Sequence, residues 1–124
     1  GASFPEGDSW YFNTTRGGST PSFAKDSPAR HYYGTADLAD PLVMPARFDD
    51  MLAKFPPSLL LTSTRDQFMS DVVYTHSRLI KMGVEADLHV WEGLEHAGFL
   101  NPDIPEYMDA HEITVRFFDA HLAR

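Results

Sequence analysis

The sequence contains no cysteine. Disulfide frameworks and thiolate metal sites are thereby excluded, and the composition fits a reducing cytoplasm, where we expect the protein to act. Cations are scarce: Lys and Arg number 10 against 18 Asp and Glu, for a formal net charge of -8 over 124 residues. Nucleic acids and anionic membrane surfaces require a basic patch, so neither partner is expected. Long apolar runs are missing too. Nothing approaches the roughly 20 residues of a membrane span. The opening Gly1-Ala2-Ser3-Phe4-Pro5 has neither the cationic nor the apolar part of a signal peptide. It also lacks an initiating methionine, which we read as a tag remnant or an internal position of a longer parent. Finally, His31, His76, His89, His111 and His121 have no second ligand at i, i+4 spacing, so no metal and no cofactor is expected.

What remains fits one domain or less. Residues 1 to about 22 mix Gly, Pro, Ser and Thr with Trp10, Tyr11 and Phe12 and show neither a helical nor a strand period, which predicts a long loop packed by its aromatics. A short helix is expected from Ser27-Pro28 to Tyr33, ended by Gly34, and another from Phe48 to Phe55, stopped by Pro56-Pro57. The run Ser58 to Thr64 has the pattern of a strand buried on both faces of a parallel sheet. A helix follows, with Ser70 as cap, Val72/Val73 and Leu79/Ile80 as apolar face and Gly83 as terminator. Val84, Ala86, Leu88 and Val90 alternate with polar residues and predict a strand near a sheet edge. From Glu106 to Leu122 a helix is expected to bury Met108, Val115, Phe118 and Leu122, widened by Ile113 and Phe117. Strand, helix, strand, helix is a βαβα unit, and a right-handed crossover makes the two strands parallel.

Parallel strands send their C-terminal loops to one edge of the sheet, where ligands of open α/β sheets bind. Asp66 follows the first strand and His96 the second. On adjacent strands about 4.8 Å apart, the two loops bring these side chains within hydrogen-bond reach. An aspartate bonded to one imidazole nitrogen fixes the tautomer and stabilises the imidazolium formed when the other nitrogen takes a proton. The residues alone leave two readings open: a catalytic acid and base pair, or a helix-capping aspartate beside a loop histidine. Gly7-Asp8-Ser9 imitates the start of a nucleophile elbow, G-x-S-x-G. However, Tyr11 stands where the second glycine belongs, and neither the preceding strand nor the following helix is predicted. Trp10, Tyr11, Phe12, Tyr32 and Tyr33 fit either a substrate pocket or ordinary packing.

Four features carry a family resemblance: Asp40-Pro41-Leu42-Val43-Met44-Pro45; Pro57-Ser58-Leu59-Leu60-Leu61 leading to Asp66 and Asp71; Val90-Trp91-Glu92-Gly93-Leu94-Glu95-His96; and the closing amphipathic helix. From about Pro41 to Arg124 the chain resembles the C-terminal segment of the hormone-sensitive-lipase-like α/β-hydrolases, esterases also described as alpha/beta hydrolase fold-3. The first forty residues match more loosely. The resemblance implies the C-terminal portion of one α/β-hydrolase domain: a long N-terminal loop with short helices over 1–40, following an upstream strand, and a βαβα unit over 56–124. It places the catalytic acid at Asp66 and the base at His96 of a serine carboxylesterase. The serine and the oxyanion loop would lie upstream of Gly1, so the chain alone is expected to be inactive on its small ester substrate. Its expected partner is the N-terminal half of the same hydrolase or a second copy of the chain. The alternatives are a noncatalytic hydrolase-like binding domain and a fragment of a serine peptidase or dienelactone-hydrolase relative.

Overall fold

A computed structural model describes residues 7–13 and 33–122. The helix expected from Ser27 to Tyr33 therefore lies outside the described residues except at its end, as do Tyr32 and His31. The elements in chain order are α1 (Asp8–Asn13), a 3-10 turn (Pro45–Arg47), α2 (Asp49–Leu52), β1 (Ser58–Ser63), α3 (Met69–Lys81), β2 (Ala86–Trp91), a second 3-10 turn (Gly98–Leu100) and α4 (Glu106–Leu122).

The two strands pair in parallel, with Ser58 opposite Ala86 and Ser63 opposite Trp91. The side-chain period of two sends successive leucines of β1 to opposite faces. Leu60 packs on a core of Ala46, Leu52, Leu79, Val84 and Ala86, beneath α2 and α3. Leu61 packs on Trp91, Phe99 and Ala110, beneath α4. The result is a three-layer arrangement around a sheet that has two strands among the described residues. This explains one departure from expectation. The leucines of β1 are only half-buried, because a strand is enclosed on both faces only when the sheet extends past it.

Other expectations are corrected by packing. Within residues 1 to about 22, read as loop, residues 8–13 form a short helix whose capping partner, Ser70, is remote in sequence and therefore invisible to a local pattern. On α3 the fully buried positions are Asp71, Thr75 and Leu79, spaced i, i+4, i+8, while Val73 and Ile80 are exposed. On β2 the expected alternation fails at its end: Trp91 is buried and Val90 exposed, because Trp91 stacks on Phe99 with centroids 4.6 Å apart. On α4 the expected stripe of Met108, Val115, Phe118 and Leu122 is exposed; of the expected face only Ile113 and Phe117 turn to the sheet, joined by Ala110, which was not expected. That helix carries apolar side chains on two faces, and the sheet beneath it covers one of them.

Candidate active site

The acid grows out of the end of β1. Asp66 terminates the turn after the strand, its N–H donating to the Ser63 carbonyl at 2.9 Å. Its Oδ1 accepts the Phe68 N–H at 2.8 Å, an Asx turn that delivers the chain into α3. Its Oδ2 accepts from the Thr62 hydroxyl at 3.1 Å, within a residue that is 3% exposed. A carboxylate that buried is tolerated because fixed donors replace the water it has lost.

The expected cap of α3 is also replaced. Ser70 does not cap its own helix; its Oγ accepts the Ser9 N–H at 3.0 Å. The free N–H of Ser70 at the helix start donates instead to Ser9 Oγ at 2.8 Å. Ser9 thus caps α3 from sixty-one positions away. The approach is close enough that a Cβ on Gly7 would lie 2.6 Å from Ser70 Cβ, and Gly7 sits at φ +93°, where L side chains are strained. Ser9 itself is buried, and its hydroxyl also donates to the Gln67 carbonyl at 3.0 Å. It is a structural tie in a helix, not a serine on a strand-to-helix elbow.

His96 lies on the loop after β2, and the segment from Trp91 to Glu95 is bonded to the segment from Ser63 to Arg65 at four points. Thr64 N–H donates to the Trp91 carbonyl at 2.9 Å and Arg65 N–H to the Leu94 carbonyl at 3.1 Å. The Ser63 hydroxyl donates to the Glu95 carbonyl at 3.0 Å, and Gly93 N–H to Thr64 Oγ1 at 2.8 Å. Past the histidine, Ala97 takes a left-handed backbone at φ 55°, and Phe99 anchors the loop in the core against Trp91. The two loops bring Asp66 Oδ1 and His96 Nδ1 to 2.9 Å. The carboxylate side chain is 4% exposed and the imidazole 57%. The imidazole and the Phe68 ring meet edge to face, with centroids 4.8 Å apart. His96 Nε2 has no hydrogen-bond partner among the described residues.

The two readings of Asp66 left open by the sequence prove compatible, since one oxygen serves both the helix entry and His96. An open cleft of about 660 Å³ is lined by Phe12, Arg65, Gly93, Leu94, Glu95, Gly98, Asn101 and Ile104, which include the chain neighbours of Asp66 and His96 but neither residue itself. Trp10 instead packs on Phe68 at 5.5 Å, so it supports the acid loop. Sequence reasoning missed Phe68 and the Ser63-Thr64 hydroxyls. The Thr-Ser-Thr run at the strand end was the available signal for the hydroxyls. Among the described residues, no three His, Asp or Glu side chains are grouped to hold a metal ion. His76 bonds the Ala86 carbonyl, His89 lies on Trp91, His111 on Tyr107, and His121 bonds the Phe117 carbonyl. Among the same residues no helix is long and apolar enough to cross a membrane.

Comparison with known proteins places this geometry. Residues 11–100 match the model of the alpha/beta hydrolase fold family. The structure of esterase E25 is similar at TM-score 0.65 and 41% identity, covering 74% of this chain and 28% of that one. Carboxyl esterase 2 from the mycorrhizal fungus Tuber melanosporum is similar at TM-score 0.56 and 24% identity, covering 66% of this chain and 29% of that one. Brefeldin A esterase, a bacterial homologue of human hormone sensitive lipase, shares the fold at TM-score 0.50 and 17% identity, covering 78% of this chain and 25% of that one. No curated protein matches significantly. The chain thus spans less than a third of the length of these structures. With the parallel strands and their two joined loops, the family match over 11–100 and the 41% identity establish that the chain belongs to the alpha/beta hydrolase fold family.

Proposed function

We propose that the whole protein is a serine carboxylesterase acting on small esters, and that this chain supplies the acid, Asp66, and the base, His96. The observation that carries the proposal is the Asp66 Oδ1 to His96 Nδ1 bond at the C-terminal edge of the sheet, with the ring otherwise exposed. The named esterases among similar structures support it.

The chemistry follows from the geometry. Asp66 accepts from Nδ1–H, so the neutral ring carries its lone pair on Nε2. That nitrogen takes the proton of a serine hydroxyl as the serine oxygen bonds to the ester carbonyl carbon. The oxyanion collapses, the alcohol leaves with the proton returned by His96, and water repeats the sequence on the acyl-enzyme. In this reading the serine and the oxyanion donors come from outside these 124 residues, which the capping role of Ser9 supports. The chain by itself then hydrolyses nothing. The apolar outer face of α4 and the open strand edges are covered by the N-terminal half of the same hydrolase or by a second copy of the chain.

The test is hydrolysis of p-nitrophenyl acetate by the full-length protein and by its His96→Ala variant. The variant is expected to lose at least about a thousandfold in kcat. Activity within a few-fold of the parent would overturn the assignment.

A further inference from the structure

We propose that Phe68 is a positioning residue for His96, holding the imidazole in the orientation that pairs Nδ1 with Asp66 and leaves Nε2 for the substrate side. The inference rests on the catalytic reading of the Asp66 and His96 pair and extends it to a residue two positions beyond the acid.

The His96 ring is more than half exposed and, among the described residues, has a single hydrogen bond, to Asp66. One hydrogen bond leaves a ring free to swing about the bonded nitrogen, because it fixes a point and not a plane. The second constraint is Phe68, whose ring meets the imidazole at 4.8 Å and 63°. This edge-to-face geometry is favourable for aromatic pairs.

Phe68 is itself unusually well held. Its N–H is bonded to the same carboxylate oxygen that receives His96, so acid, base and ring are referenced to one atom. Behind it stands Trp10, with centroids 5.5 Å apart. Trp10 is carried on α1, and α1 is fastened to the start of α3 by the reciprocal Ser9 and Ser70 bonds. The remote capping of α3 and the aromatic contact on the histidine thus form one continuous support. An α1 docked only for stability would need the Ser9 tie. It would not need an aromatic relay from Trp10 to the imidazole.

A ring contact also differs from ordinary filling of space. The edge-to-face preference of two aromatic rings fixes their relative angle, which an aliphatic side chain of similar volume does not do. Conservative variants can therefore separate positioning from filling of space.

The experiment compares Phe68→Leu, Phe68→Tyr and His96→Ala in the full-length protein, by steady-state p-nitrophenyl acetate hydrolysis and thermal unfolding. Phe68→Leu is expected to lower kcat by about tenfold, as a modest misplacement of the base would. KM should stay within about twofold, because substrate binding is untouched. Phe68→Tyr should restore kcat. The proposal is overturned if Phe68→Leu keeps parental kcat, if the loss falls on KM, or if Tyr does no better than Leu. If His96→Ala retains activity, it is the reading of the site that fails. If His96→Ala is inactive while Phe68→Leu matches the parent, only the role of Phe68 fails.

Discussion

Among the described residues two aspartates pair with a base, and the burial of the two pairs is inverted. In Asp66 and His96 the carboxylate is buried and the base exposed, at 4% and 57%. In Asp49 and Arg78 the carboxylate is exposed and the base largely covered, at 62% and 16%. The second pair is closed upon itself. The Arg78 guanidinium bonds both Asp49 Oδ1, at 2.5 Å, and the Ala46 carbonyl, so it ties α3 to the 3-10 turn and α2. The partner hidden in each pair is the one the fold uses as an anchor; the partner left outside is the one free to react or to be solvated. Arginine stays protonated at any ordinary pH, so burying it with hydrogen bonds fixes architecture. Histidine changes charge near neutrality, so exposing it on a fixed carboxylate offers a proton-transfer group to the solvent side.

The contrast is tested most severely at the acid. Asp66→Asn keeps an acceptor for Phe68 but can no longer hold the tautomer, and kcat should fall by about 10⁴. Asp66→Ala should in addition unfold more readily by about 1–3 kcal/mol, because the Phe68 N–H and the Thr62 hydroxyl lose their acceptor. His96→Ala should match the activity loss and leave the melting temperature unchanged. A His96→Ala protein that melts earlier than Asp66→Ala would reverse the roles assigned to hidden and offered partners. Arg78→Ala should give the complementary result. It strands the Ala46 carbonyl, at a cost of about 1–3 kcal/mol, while kcat per folded molecule stays at the parental level. A drop in kcat with unchanged stability would mean that this pair reaches the site.

How much of this was legible beforehand depended on how local the cause was. The strand from Ser58, the helix from Glu106 to Leu122 and the stop at Gly83 follow from periodicity and terminators within a few residues, and the structure has them at nearly those bounds. The meeting of Asp66 with His96 was legible because parallel strands fix which loops share an edge. The cap on α3 was not: Ser70 had the right chemistry at the right place, but the hydroxyl that acts comes from Ser9, and no local pattern contains that distance. The exposed stripe on α4 misled for a related reason. Periodicity shows that a helix face is apolar but not which layer covers it, and Ala110, too small to weigh in a hydrophobic count, is the buried residue of this helix. Phe68 was overlooked because an aromatic at a helix entry carries no signal until its neighbour across the sheet edge is known.

The smallest effect concerns the exposed half of the structural pair. The Arg78 hydrogen bond, outweighing the opposing effect of burial and helped by the charges of Arg78 and Lys81, holds the Asp49 carboxyl below its ordinary value of 3.8. A carboxylate whose folded value is depressed contributes stability above the unfolded value, and that contribution is lost as pH falls through the folded value. The Asp49 contribution is therefore fully present at neutral pH and fades only below 3.8. In carbon-detected titration of the full-length protein, the Asp49 midpoint should lie below 3.8 and rise toward it in Arg78→Ala. Because the carboxylate is solvated, Asp49→Asn should leave the melting temperature at neutral pH nearly unchanged. If Asp49→Asn melts as early as Arg78→Ala, then the exposed carboxylate, and not the largely covered guanidinium on the Ala46 carbonyl, is the anchor of that pair.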